Sequence, residues 1–297
     1  MNKKKIRFIF FQLLTLISYS AYSQASYEFI GVLKLTGDDK QIITYKLVFQ
    51  ENKGVISGYS VTDLNGTHET RNAISGFYNK KEKQFTFKEN DILYTKSTFS
   101  KSSFCFVNFS GKVNLVNNTS KIEGNFKGLY KNNTKCIDGT VLLIGSDKIY
   151  KLVEKVNTKI QKSNKISVPE KQKYDVNKLL DSLVINKISS NENLYVFWES
   201  NTFKMDIWDA SQEDGDIINL YHNNNLILKN YRIENKKKTI NIELTSDKNV
   251  FVIESVSEGD IAPNTPQLKL YDNKRSFDLQ ANLKVKEKAS LTIVKKE

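Results

Sequence analysis

Histidine, cysteine, proline, methionine and tryptophan are nearly missing from this sequence, with two, two, three, two and two copies in 297 residues. Two cysteines and two histidines cannot assemble the cluster of thiolates and imidazoles that a zinc site needs. His68 in "GTHETRN" and His222 in "LYHNNN" form no HExxH pair, and no Gly-x-Ser-x-Gly elbow occurs. The commonest metalloprotease and serine-hydrolase signatures are thereby excluded. Beyond residue 24 there is also no apolar run long enough to span a bilayer as a helix, which takes roughly 20 residues. Glycine is scarce in the second half: 11 of 13 lie from Gly31 to Gly145, and only Gly215 and Gly259 follow.

The chain begins MNKKKIRFIFFQLLTLISYSAYSQA. Lys3, Lys4, Lys5 and Arg7 lead into an apolar run from Ile6 to about Ile17, and small residues flank Tyr22 at Ala21 and Ser23. Charge, apolar core and small-residue cleavage site are the layout of a secretory signal peptide over residues 1–23. The run is too short to span a bilayer and no Cys follows it, which argues against a lipoprotein anchor. The expectation is an exported protein, periplasmic or extracellular, starting at Gln24 and without a transmembrane segment. In an oxidising compartment Cys105 and Cys136, 31 residues apart, are expected to form one disulfide.

The net charge of +12 is unevenly spread: +4 over residues 1–23, +5 over 24–146, +5 over 147–190 and −2 over 191–297. That asymmetry, together with export, excludes a single nucleic-acid-binding surface. It leaves anionic lipid or polysaccharide as a partner for the basic middle.

Residues 24–146 carry 16 Phe or Tyr among punctuating glycines. Alternation is plain in "TYKLVF", "QFTFKE" and "FCFVNF", where Phe104 and Phe106 share one face and Cys105, Val107 and Phe109 the other. In "VISGYSV", "AISGFYN" and "KIEGNFK" an Ile stands two residues before a strand-interior Gly, the mark of a bulge or sharp bend. About eight strands from Tyr27 to Ile144 predict an antiparallel meander or small lipocalin-like barrel, closure being the economical way to remove edges.

The period then changes. Ile149, Leu152, Val153, Val156 and Ile160 recur at helical spacing among Lys148, Lys151, Lys155, Lys159 and Lys162. Residues 147–192 read as a basic helical linker. Its apolar stripe is expected to pack on a neighbouring domain, with an anionic membrane surface as the other reading. Around Pro169 periodicity is lost, and "DVNKLLDSLVI" predicts a second short helix.

From residue 193 to 297 nine short β-rich runs separated by polar turns predict a β-sandwich of immunoglobulin-like or jelly-roll-like form, the fold class being mostly β throughout. "TINIEL" alternates with Ile240, Ile242 and Leu244 inward, and Trp198 and Trp208 are expected in the core. The strings "WDASQEDGDIINLYHNNNLILKNY", "SVSEGDIAPNTPQLKLYD" and "ANLKVKEKASLTIVK" resemble a C-terminal β-sandwich module of exported bacterial proteins of unknown role. Its pattern is matched by Trp208, Asp209, Asp214, Gly215, Asp216, Glu258, Gly259, Pro263, Asn264 and Thr265. The resemblance implies a fold over roughly the last hundred residues and no activity. It fails at 223–225, where Asn-Asn-Asn replaces an Asn-Gly turn; Asn tolerates the left-handed backbone, so the hairpin should survive.

Four acids in eight positions, Asp209, Glu213, Asp214 and Asp216, sit between two of these strands, and Glu258 and Asp260 lie in a second loop. Calcium takes six to eight oxygens, often from grouped loops, so these six residues form a candidate calcium site. Counting from Asp209 puts Asp214 where an EF-hand requires Gly, so it is not that motif. A solvated turn and a catalytic carboxylate pair are the competing readings. The function expected is a non-enzymatic exported binding or scaffold protein of a bacterial envelope, with an extracytoplasmic protein, glycan or lipid as partner. The alternatives are a lipocalin-like carrier of an apolar ligand and a calcium-dependent carbohydrate-binding or glycan-hydrolysing protein.

Overall fold

A computed structural model describes residues 25–37, 41–98, 100–167, 171, 186–210 and 212–296. The expected signal peptide, the segment at Pro169 and the second short helix lie outside the described residues. The chain is mostly β.

Eight antiparallel strands follow one another from the start: β1 (Ala25–Leu35), β2 (Ile42–Asn52), β3 (Val55–Thr62), β4 (Thr70–Asn79), β5 (Gln84–Thr95), β6 (Phe106–Lys112), β7 (Lys121–Leu129) and β8 (Gly139–Gly145). Each pairs with the next, β8 returns to β1, and the barrel is closed without a free edge. The period-2 pattern sends Leu47, Phe49, Phe85, Phe87, Phe109 and Phe126 to one interior cluster. The rings touch: Phe49 to Phe85 at 5.2 Å, Phe85 to Phe87 at 5.8 Å and Phe87 to Phe109 at 5.6 Å between centroids. The barrel is filled by its own aromatic side chains, as small barrels commonly are.

Two of the strand-interior glycines flagged by the recurring pattern are sterically required. A Cβ on Gly58 would stand 2.1 Å from the Val48 carbonyl oxygen, and one on Gly76 2.0 Å from that of Thr86. The strands bend there so closely over their neighbours that no side chain fits.

Near one end of the barrel an acid is buried among the rings. The Glu89 carboxylate accepts from the Tyr45 hydroxyl (2.9 Å), the Ser60 hydroxyl and the Val107 backbone N–H (2.7 Å), tying β5 to β2, β3 and β6. Burial raises the pKa of Glu89 against the pull of these donors, and raises that of Tyr45 well above the usual phenol range.

Helix α1 (Ser146–Lys162) follows β8 directly. Its Tyr150 hydroxyl donates to Glu28 of β1 (3.1 Å), whose other oxygen takes Lys46 (2.6 Å). Packing of the apolar stripe is only partial, which corrects the expectation above. Ile149, Val153 and Ile160 are half-buried, but Leu152 and Val156 are 59% and 45% exposed. The helix meets the outside of β1 and β8, and the barrel wall covers one side of it.

The remaining strands form a second body. One face is β10 (Asn193–Trp198), β18 (Lys288–Lys295), β15 (Lys248–Glu258), β12 (Asp216–His222) and β13 (Asn225–Arg232), in that order. The other is β14 (Lys238–Glu243), β11 (Thr202–Trp208), β16 (Gln267–Tyr271), β17 (Ser276–Asn282) and β9 (Lys187–Ser189). All nine strand-like runs are strands, and β9 adds one inside the stretch read as linker. Both faces feed one core, with Trp198, Leu220, Phe251 and Leu291 from the first and Met205, Ile207, Leu270 and Leu279 from the second. Ile242 and Leu244 are buried and Ile240 packs against this core. Trp198 is fully buried and Trp208 half-buried, with the Lys237 ammonium 4.4 Å above its ring. The β12–β13 hairpin turns at Asn223 and Asn224, both left-handed (φ 48° and 66°).

The two bodies share a sheet. Tyr94 and Thr95 at the end of β5 pair with Val196 and Tyr195 of β10. Phe106, on the outer face of its strand, packs with Ile92 and Phe197 in the seam.

Cys105 and Cys136 are joined, bridging the entry to β6 and the loop before β8 across 31 residues. A loop of that length should contribute roughly 3–4 kcal/mol by constraining the unfolded chain. Urea unfolding of the Cys105→Ser, Cys136→Ser double variant should show a loss of that order, and a loss under about 1 kcal/mol would mean the packed barrel makes the bridge redundant.

Candidate functional site

Asp209 follows β11 directly, and its backbone N–H donates to the Glu234 carbonyl (2.8 Å). The chain turns at Gly215 (φ 98°) and enters β12 at Asp216. This return brings Asp209, Asp214 and Asp216 together, with one carboxylate oxygen from each within 4.8 Å of the others. Asp209 and Asp216 are buried, at 4% and 3% exposure, and Asp214 is half-buried.

The loop after β15 lies against this turn. Backbone N–H groups of Asp260 and Ile261 donate to the Asp214 carbonyl (3.0 Å) and Asp214 Oδ2 (3.1 Å). Thr265 N–H donates to Asp216 Oδ2 (3.1 Å), while the Asn264 amide holds the carbonyls of Ile217 and Ser257. Gly259 is left-handed (φ 60°), and a Cβ there would come 2.5 Å from the Asp214 carbonyl oxygen. Glycine is therefore needed for the two loops to meet.

The outer oxygens are thus fixed by main-chain donors, but Asp214 Oδ1 and Asp216 Oδ1 are buried with no hydrogen-bond partner among the described residues. No ion pair among the described residues reaches either group. Burial, with the charges of Asp214, Asp209 and Glu258 adding to it, pushes the Asp216 pKa up to about 6, despite the Thr265 N–H. A concentration of negative charge with orphaned oxygens is costly for a protein to keep unless something positive fills it.

The six acids expected to act together divide. Asp209, Asp214 and Asp216 converge, and Glu258 pairs in register with Asp216 while its Oε1 accepts from Val285 N–H. Exposed Glu213 accepts from the Asn235 N–H (2.5 Å), and Asp260 is exposed and contributes its N–H. Sequence reasoning missed Ile261, because main-chain donors leave no mark in residue type, and reached Asn264 and Thr265 only through the resemblance, without their roles. The histidines stand elsewhere: His222 stacks on Phe251 (4.4 Å, 3°), and His68 Nδ1 is 3.5 Å from the buried Ser97 hydroxyl, beyond ordinary hydrogen-bond length. Three aspartates at this spacing are able to hold a metal ion.

In chelator, Asp216 makes stability fall with pH. Below about pH 4 it is protonated in folded and unfolded chains; between there and about pH 6 the unfolded chain ionises first, so stability is lost as pH rises. The difference from the ordinary 3.8 sets a ceiling of about 3 kcal/mol. Thermal melts from pH 4 to 7 should show this slope in the wild type and a flatter profile in Asp216→Asn, whose amide donates to its acidic neighbours. A wild-type slope retained in the variant would place the titration elsewhere.

No family model matches the chain, and no curated protein and no solved structure is detectably similar to it.

Proposed function

We propose that the chain is an exported, non-enzymatic binding or scaffold protein of a bacterial envelope, whose second body is a calcium-stabilised β-sandwich. The observation that carries this reading is the pair of buried, unpartnered oxygens on Asp214 and Asp216, beside a third carboxylate on Asp209. An all-oxygen donor set suits a hard cation and not zinc or copper, which favour nitrogen and sulfur. With three side-chain oxygens, the ion would draw its remaining ligands from main-chain carbonyls and water, as calcium readily does and octahedral magnesium less so.

The ion's place in the molecule supports a structural role. It would tie the β11–β12 turn to the loop after β15, so its binding stabilises a loop surface. Export is supported by the leader pattern in the sequence and by the disulfide, which belongs to oxidising compartments. Two sheets sharing one core support the sandwich and the resemblance to an exported module. Extracytoplasmic proteins, glycans and lipids are the partners such a surface would meet. The carrier alternative loses its main attraction, since the barrel interior is occupied by its own rings.

Calcium at about 100 times its dissociation constant should stabilise the folded chain by roughly 2.7 kcal/mol. For a body of this size that corresponds to a rise in Tm of about 12 °C. The rise should reverse with EGTA, be smaller with magnesium and vanish in Asp216→Asn. An unchanged melt at millimolar calcium would remove the metal, and robust turnover in a broad hydrolase screen would remove the non-enzymatic reading.

A further inference from the structure

The outer face of the barrel carries a groove unrelated to the aspartates. Ile56, Gly76, Phe87, Phe109, Phe126 and Gly139 are paired in register across six strands, with their side-chain positions turned inward. Neighbours on either side of this row therefore face out, as two ladders with a trough between them. One ladder is Val55, Phe77, Thr86 and Ser110, and the other is Ser75, Lys88, Asn108 and Lys127, each in register from strand to strand. The trough has a volume of about 1030 Å³, at the upper end of the range of about 300–1,000 Å³ usual for ligand sites. Gly76 lies in its floor, where the strand bends too closely over Thr86 for a side chain.

The two banks differ in chemistry. Phe77 and Val55 are 57% and 53% exposed and adjacent, an apolar step on an outer surface that the fold does not need there. Opposite stand Lys88 and Lys127, separated by Asn108 and free of ion pairs among the described residues. Thr86, Ser110 and Asn125 add hydroxyl and amide groups. The acid at this end, Asp138, is paired with Lys135 (2.9 Å).

We propose that this groove binds a linear acidic polysaccharide. At about 4.8 Å per strand the groove runs about 24 Å along the curved wall of the closed barrel, and a linear polymer lies along part of that arc. Lys88 and Lys127 lie two strand spacings apart, about 10 Å, so carboxylates recurring along one chain meet both. Phe77 offers a flat apolar surface for the face of a sugar ring, and the hydroxyl and amide groups match sugar hydroxyls. An extended peptide would look for an unpaired sheet edge, and every strand here is paired on both sides. The inference deepens the reading of the chain as a binding protein and is independent of its cation.

The test uses the mature chain, in EGTA and in calcium, titrated with polygalacturonate, neutral dextran and poly-glutamate. Polygalacturonate should bind in both buffers with an affinity that falls as salt rises, and dextran at least tenfold more weakly. Phe77→Ala and the Lys88→Gln, Lys127→Gln pair should each weaken binding tenfold or more with unchanged Tm, while Lys80→Gln, at the barrel end, should not. Absence of binding, equal binding of dextran, poly-glutamate binding as tightly, or variants that bind like wild type would each overturn the proposal. Loss of binding in EGTA alone would assign the polysaccharide to the aspartate loops and overturn it too.

Discussion

Strand β5 is the constraint on which the architecture turns. Its first residues complete the barrel against β4 and β6, and its last two open a second sheet by pairing with β10. Two separate cores are thereby held in one continuous hydrogen-bonded surface. Side chains reinforce the seam. Tyr94 is buried, donates to Glu69 (2.7 Å) and meets Phe277 edge-on at 5.3 Å, and its pKa is raised well above the usual range by burial and the Glu69 charge. Lys96 reaches Glu192 (3.0 Å) and Lys296 reaches Asp91 (2.6 Å), both from largely buried ammonium groups. For pairs this buried the desolvation cost offsets much of the Coulombic attraction, so ring packing and sheet continuity carry most of the junction.

Two buried acids show how differently the protein treats negative charge. Glu89 is fully buried yet is matched by donors from β2, β3, β4 and β6, so it is a self-contained cross-brace. Asp216 receives one main-chain donor and faces three other acids. Burial acts on both; donor count separates them. A structural role suffices for the first, while the second belongs to a cluster of three aspartates able to hold a metal ion.

Much of the fold was legible because it rests on local pattern. Alternation located every strand of the second body except β9, and glycine marked the bends. The paired left-handed Asn223 and Asn224 kept the hairpin without a glycine. What escaped detection depends on distant pairing. β9 is three residues long and runs parallel to β17, far too short to display a period. The β5–β10 seam joins residues a hundred positions apart, and it explains why Phe106, which alternation places outside the barrel, is nonetheless buried. Periodicity predicted α1 but not how much of its stripe the barrel covers, since spacing defines a face and not the size of what lies opposite. The acidic loop was visible as a cluster of carboxylates; which three converge was decided by a turn at Gly215 and by main-chain donors that residue type does not encode.

The placement of β18 has a further consequence. It lies centrally in its sheet, antiparallel to β15 on one side and parallel to β10 on the other. During vectorial synthesis the second body therefore lacks its middle strand until residues 288–295 emerge. The barrel can close as soon as β8 arrives, while β10 and β15 wait with open edges. A chain ended between β15 and Lys288 would leave β10 and β15 each with an edge that only β18 fills.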